Sequence, residues 1–532
     1  MRGNPRGLRT ACRTIAGALA VAAVFASSGC ADTMVPAPGA GEFPDASASD
    51  FPPFDDAAET SDASLPITPP TCVGFCPPIG NSGPNCPPGS PLSCYVNNNC
   101  PGGAQTTITG TVFDPAGRNP LPNVVVYVPE DPSTVPNIVP GTSSCVACTT
   151  IRDFVTIELT DAQGHFTLRG APTGKNVPLI LQVGKWRRTI NVPNVVDCGT
   201  TELPNSGSGQ ARLPRNRMEG DMPGMAILTG GCDNVACFLR SVGVDASEFS
   251  APRVGGRVDV YQGLGATGPA AALSTGVAGD CTTSACPLWS SKAALEGYDT
   301  VFLGCECDEH AETKPASSVQ AMHDWLGEGG EVFATHSQTT WFKNGPSDLQ
   351  SIADWTSGPP SGAPGPFAVD SSFMAGQSLE TWLAGVGGTD ANGDVPLDPA
   401  DVSTSVATVA SPTRAWIRDS VVHDGGVVND GGAPTGNAKL LTAPMPVAAP
   451  DAGMSVHCGK VDVSDIHPGG GQALQGANSD GSSAPAAVPA VCDGGPLSPG
   501  DEALEFLLFY QPMCVQIRTG GPPPPPPPPN GG

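Results

Sequence analysis

At 532 residues the chain is long for a single core, so two or three domains are expected. Its 67 Gly and 59 Pro point to long loops, with helix in the minority. Lys and Arg number 25 against 51 Asp and Glu, a net charge of −26, which excludes nucleic acid as a partner because binding it needs concentrated positive charge.

Residues 1–29 read as a secretory signal. Arg2, Arg6, Arg9 and Arg13 precede an apolar run from Ile15 to Phe25 that is too short to span a bilayer. Ser27-Ser28-Gly29-Cys30 then resembles a bacterial lipobox, which implies lipidation of Cys30; the alternative is ordinary signal cleavage. The expected address is an exported lipoprotein at the outer membrane or cell surface, its membrane partner engaged through the lipid. Nineteen cysteines are present, and an exported chain pairs most of them. With Cys12 and Cys30 set aside the remainder is odd, so at least one stays free or pairs between chains.

Residues 30–70 are rich in Ala, Pro, Ser, Asp and Gly and bury too little apolar surface to fold, which makes them a disordered tether. Residues 71–103 hold Cys72, Cys76, Cys86, Cys94 and Cys100 at irregular spacings and no His, the pattern of a disulfide-stapled segment. Residues 104–204 turn to short alternating strands with turns between them: Thr106–Phe113, Asn123–Val128, the run to Leu168, Leu179–Val183 and Thr189–Val192. Cys145 and Cys148 flank a loop, and one of them is expected to pair with Cys198. Lys185-Trp186-Arg187-Arg188 is a basic and aromatic cluster, either a glycan platform or a strand end with solvated charges. Residues 205–223 form a linker.

From 224 to 518, strands alternate with helices, which predicts a parallel, doubly wound sheet. The strands are Met225–Thr229, Val258–Tyr261, Val301–Leu303, Val332–Ala334, Ala415–Ile417, Lys439–Thr442 and Gly459–His467. The helices fall near Asn234–Val242, Trp289–Leu295 and Ser317–Leu326, with a last one over Asp501–Phe509 after a Ser498-Pro499 start. Residues 356–400 read as a loop insertion. Within it Asp390-Ala-Asn-Gly-Asp394 begins like a calcium loop, but its twelfth position is Asp401, not Glu. Residues 519–532 are a polyproline tail.

Sites in open α/β sheets gather past the carboxyl ends of parallel strands. Here those ends offer Cys305, Glu306, Cys307, His336, Asp465 and His467. Glu306, His336 and His467 are the candidate catalytic groups, and His336, Asp465 and His467 the candidate metal ligands, since His and carboxylates suit zinc-like ions. No cofactor is specified. Cys305 with Cys307, Cys232 with Cys237 and Cys281 with Cys286 read as local disulfides, and Cys458, Cys492 and Cys514 as fasteners of the last helix.

Two resemblances sharpen this. GTVFDPAGRNPLPNVVVYV followed by TDAQGHFTLRGAP is similar to the carboxypeptidase regulatory-like domain, a transthyretin-like or carbohydrate-binding-like β-sandwich, which implies spacing or binding and no catalytic residues. YDTVFLG, LGEGGEVFATH and the late His467-Pro468 resemble the class I glutamine amidotransferase-like and ThuA-like flavodoxin-like domains. With the leader, the whole order resembles exported lipoproteins of myxobacteria. The amidotransferase resemblance implies a Cys nucleophile just after Glu331–Thr335, where this chain has His336. It also implies a Glu after His467-Pro468, where this chain has Gly469. Amidotransfer is therefore not expected. The expected role is binding a polysaccharide or protein ligand; the alternative is a secreted, metal-assisted hydrolase.

Overall fold

The structure, a computed structural model, describes residues 86–87, 89–141, 149–266, 277–356, 365–419, 436–446, 459–469, 495–510 and 515–517. The signal, Cys30, the tether, most of the Cys-rich segment, Cys145, Cys148, Cys458, Cys492, Cys514 and the polyproline tail lie outside the described residues. Among the described residues no helix is long and apolar enough to cross a membrane.

The first half is β-structure. Its strands are β1 (Thr107–Thr111), β2 (Val125–Pro129), β3 (Thr149–Ile151), β4 (Phe154–Leu159), β5 (His165–Arg169), β6 (Gly174–Val183), β7 (Trp186–Val195) and β8 (Thr200–Glu202). Two small sheets form, β5-β1-β8 and β4-β2-β6-β7, and β3 pairs separately, in parallel, with Val515–Ile517. The period of two along β2 sends Val126 and Val128 into a core shared with Ile108, Phe166 and Leu168 of the other sheet. Val125 and Tyr127 pack on the opposite face with Ile157 and Ile180.

Cys198 pairs with Cys100, at a Cα separation of 5.3 Å, which corrects the expected pairing with Cys145 or Cys148. The cause is register. β1 and β8 are parallel neighbours with Thr107 opposite Thr200, so the residues leading into both strands lie side by side.

The second half adds β9 (Met225–Thr229), α1 (Val235–Val242), β10 (Phe249–Ser250), β11 (Val258–Gln262), β12 (Gly279–Asp280), α2 (Lys292–Leu295), β13 (Thr300–Leu303), α3 (Ala316–Leu326) and β14 (Glu331–Thr335). After it come α4 (Thr340–Lys343), α5 (Ser347–Gln350), β15 (Asp354–Trp355), β16 (Phe367–Val369), α6 (Met374–Val386), β17 (Val406–Thr408), β18 (Arg414–Asp419), β19 (Ala438–Met445), β20 (Gly459–Ser464) and α7 (Pro499–Phe509). The main sheet runs β10-β11-β9-β13-β14-β20-β19-β18-β16. It is parallel from β10 to β20 and antiparallel from β20 through β19 and β18 to β16. The expected all-parallel sheet is thus corrected at one side. Parallel pairing needs a crossover, usually a helix, and the described residues between β18 and β20 supply none.

Alternate residues of the sheet face two helical layers. Met225 and Ile227 pack with α1, α6 and α7 through Phe238, Leu239, Leu379, Trp382, Leu504 and Leu507. Ala226 and Leu228 pack on the other side with Met322, Trp325 and Phe342 of α3 and α4. The α6 helix corrects the loop reading of 356–400. Leu379, Trp382 and Leu383 are its buried stripe, at helical spacing, and the surrounding Gly and Pro hid it.

The β-structure seats on the α1/α7 layer. Trp186 meets Phe509 edge-on at 5.5 Å between ring centroids, and Trp382 Nε1 donates to the Pro120 carbonyl. Lys185 pairs with the partly buried Asp299, and Arg187 with Asp221 at 2.7 Å. The Lys185–Arg188 cluster is therefore part of an internal seam, neither a glycan platform nor a solvated strand end. The 205–223 linker is packed as well, with Ala211, Leu213 and Met222 buried.

In this seam Asp114 faces Glu505 of α7. Arg118 N donates to Asp114 Oδ1 and Asn119 Nδ2 to Glu505 Oε2, which leaves Asp114 Oδ2 and Glu505 Oε1 buried without a donor. Burial, with Arg118 opposing, pushes Asp114 up to about 6, and burial with Asp114 and Glu502 nearby pushes Glu505 well up. A proton held between the two carboxyls satisfies both orphan oxygens. The folded chain keeps that proton after the unfolded chain has lost it. The pair's contribution is therefore complete below about pH 4 and is lost as pH rises through about 6. Glu505→Gln keeps a donor in place and removes this loss. In urea unfolding it should exceed the parent by about 1–3 kcal/mol at pH 8, with the difference shrinking toward zero by pH 4.5.

Candidate functional site

Strands β9, β13, β14 and β20 are consecutive in the sheet, and all four are parallel. Their carboxyl ends therefore open on one edge. The turn after β9 carries Cys232 and Asp233, that after β13 carries Cys305, Glu306 and Cys307, that after β14 begins with His336, and that after β20 carries Asp465 and His467.

Gly230 makes the close approach of the first two turns possible, since a Cβ there would lie 1.9 Å from the Cys305 carbonyl. Cys232 N donates to that carbonyl at 3.0 Å. Cys232 is joined to Cys307 with their Cα atoms 5.2 Å apart. This corrects two expected pairings, Cys232 with Cys237 and Cys305 with Cys307. Closeness in the chain suggested them, but β9 and β13 are adjacent in the sheet, so their following turns meet. Cys237, in the first turn of α1, is also in a disulfide, and Cys281 pairs with Cys286. Cys307 adopts a left-handed backbone with φ of 69°, uncommon for a residue with a Cβ and held here by the cross-link.

Cys305 is the free cysteine among the described residues. Its Sγ lies 3.2 Å from His336 Nε2 and accepts from Cys307 N at 3.2 Å. The His336 ring stands edge-on to His467, with centroids 4.4 Å apart. His467 Nδ1 bonds Asp233 Oδ1 at 2.5 Å, and Asp233 Oδ2 accepts from Cys305 N at 2.7 Å. One carboxylate thereby ties the β13 turn to the β20 turn. His336 Nδ1 is buried with no hydrogen-bond partner. Exposure is 0 % for Cys305, 7 % for His336 and 6 % for His467, so the cluster is enclosed.

Enclosure sets the protonation. Burial first, and the Asp233 charge second, push the Cys305 thiol up to about 12. Burial first, and His467 second, push His336 down to about 4 against the pull of Asp233. Burial opposes the charge of both Asp233 and His467. Their mutual attraction and hydrogen bond prevail, holding Asp233 down and His467 up. Cys305 and His336 thus meet near neutral pH as thiol and imidazole. An activated cysteine is a thiolate beside a cation, which this pair is not.

The structure separates the other candidates from this cluster. Glu306 is buried in an ion pair with Lys314 at 2.7 Å and also accepts from Leu264 N and Gln338 Nε2. Those three donors hold this carboxylate in place. Asp465 accepts from Ser405 N and the Ser405 hydroxyl, with burial raising its pKa. The Asp390 carboxylate accepts from the backbone of Asn392 and Asp394 within its own turn. Among the described residues, donor atoms of Cys305, His336 and His467 all lie within 4.8 Å of one another, and they are the set that could hold a metal ion; Cys100, Asp197 and Cys198 also cluster, but both of those sulfurs are in a disulfide. The residue missed from sequence is Asp233. Its signal is position alone, an acid just past the apolar strand Met225–Thr229.

No protein-family model and no curated protein matches the chain. Two solved structures are weakly similar. A 9R-lipoxygenase from Cyanothece PCC8801 is 17 % identical over 19 % of this chain and 17 % of its own, with a TM-score of 0.12. The cytoplasmic protein STM1381 from Salmonella typhimurium LT2 is 11 % identical over 46 % of this chain and 88 % of its own, with a TM-score of 0.25. At such scores neither likeness bears on fold or chemistry.

The Glu306–Lys314 pair supports the β13 turn from below, and breaking it on one side leaves a bare buried charge. Lys314→Met should lower stability by about 3–5 kcal/mol in urea unfolding, and Lys314→Met with Glu306→Gln should recover most of that loss. Equal losses in the single and double variants would show that the pair is not what holds the turn.

Proposed function

We propose that the protein is an exported, membrane-tethered binding protein. In this reading a lipid on Cys30 anchors it and residues 30–70 project it. A carboxypeptidase regulatory-like sandwich spaces it, and an amidotransferase-like, flavodoxin-like α/β region binds its ligand at the carboxyl edge of the sheet. Within this reading, the enclosure of Cys305, His336 and His467 supports binding over nucleophilic catalysis, since a fully buried thiol is unreactive. His336, where the resemblance expects a nucleophilic cysteine, argues the same way.

One observation favours the hydrolase as second reading. The orienting carboxylate that Gly469 does not supply is provided from β9, by Asp233 on His467. Two assays distinguish the readings. The binding protein should release no ammonia from glutamine and hydrolyse no model ester above background. Its Cys305 should react with iodoacetamide at least about 100-fold more slowly folded than unfolded, because alkylation needs an exposed thiolate. Rapid, stoichiometric alkylation of Cys305 that abolishes a measured hydrolysis would overturn it. For the anchor, Cys30→Ser should abolish incorporation of labelled palmitate and release the protein from the membrane fraction; unchanged incorporation would remove the lipid from the proposal.

A further inference from the structure

We propose that the ligand of the carboxyl-edge site is a thiophilic divalent cation of the zinc class, bound by Cys305, His336 and His467. The inference rests on the reading of that edge as a binding site, and names what it binds.

Three observations carry it. The first is donor geometry. One sulfur and two imidazoles from three adjacent strands have their donor atoms within 4.8 Å of one another, all on buried residues. A tetrahedral zinc ion sets sulfur and nitrogen ligands about 3.5 Å apart. Cys305 Sγ and His336 Nε2 are already 3.2 Å apart, close to that spacing.

The second is the support behind the donors. Asp233 holds His467 Nδ1, the carboxylate–imidazole arrangement that orients metal-bound histidines. His336 has one nitrogen at the thiol and the other, Nδ1, buried and unpartnered.

The third is charge and cysteine chemistry. A divalent ion with the Cys305 thiolate and the Asp233 carboxylate sums to zero net charge, which makes the cluster compatible with its burial. Glu306 is neutralised separately by Lys314. The neighbouring Cys232 and Cys307 are cross-linked to each other while Cys305 keeps its sulfur free, directed at a histidine. Sulfur with imidazole suits zinc, and cobalt(II) as its spectroscopic substitute.

The test uses the purified full chain, stripped with a chelator and titrated with Zn²⁺ and with Co²⁺, circular dichroism reporting the fold of each variant. One ion per chain is expected, with a thiolate-to-cobalt charge-transfer band in the near ultraviolet. Cys305→Ser should abolish the band. Asp233→Asn should retain it and weaken binding about 10–100-fold, the usual effect of losing such a supporting carboxylate. A folded chain that takes up no Co²⁺, or a band that survives Cys305→Ser, overturns the proposal. If Cys305→Ser does not fold, X-ray absorption of the zinc-loaded parent decides: one sulfur with two imidazoles supports the site, and any shell without sulfur overturns it. A negative result removes the metal only, because the hydrolysis and alkylation assays judge the binding reading independently.

Discussion

Where a parallel sheet ends, its backbone runs out of ladder partners, and any N–H buried at that edge needs another acceptor. In this protein Asp233 is that acceptor. One oxygen takes the Cys305 amide and the other takes the His467 ring. The carboxylate comes from the turn after β9, the amide from the turn after β13 and the ring from the turn after β20, so a single side chain fixes the relative position of three turns. A buried carboxylate is costly by itself, and here the imidazole opposite it offsets much of that cost. Without Asp233 the Cys305 amide would have no acceptor and His467 would be free to rotate away from His336.

The other supports act on the same turns from different sides. The Cys232–Cys307 bridge joins the β9 and β13 turns outside the cluster, and Gly230 lets their backbones touch. Glu306 and Lys314 fill the space on the remaining side, with Gln338 tying them to the β14 turn. Cys305 is consequently surrounded by fixed groups, and its sulfur is directed toward His336. The neutral thiol and imidazole follow from that enclosure. The site's chemistry is thus a consequence of how tightly the edge is built.

Much of this was legible from residue patterns, and the limits have physical causes. The strands at Val301–Leu303 and Val332–Ala334 are short apolar runs ending in Gly or polar residues, so their existence and carboxyl ends could be placed by eye. His336 and His467 followed, because a polar residue past such an end sits at the sheet's edge. Asp233 did not follow, nor did its link to Cys305. Their partnership depends on β9 lying beside β13, and strand order across a sheet is not written in local sequence. The pairing of Cys232 differs for the same reason: closeness in the chain points to Cys237, whereas the sheet brings it to Cys307 across 75 residues. The antiparallel strands β16, β18 and β19 look like any other strands until their connections are known. In α6 a helical stripe of Leu379, Trp382 and Leu383 was masked by Gly-rich surroundings.

The enclosure of the cluster also bears on what kind of partner the protein can have at this edge. A polysaccharide or peptide needs an open groove with side chains presented to it. Cys305, His336 and His467 present almost no surface, so a polymer chain does not reach them directly. The seam around Trp186 is equally closed, being filled by Phe509 and by the ion pairs of Lys185 and Arg187. A macromolecular ligand at the carboxyl edge would therefore meet the turns that the cluster holds in place. Trp186, His336 and His467, which stand out in the sequence, are thus internal to the fold.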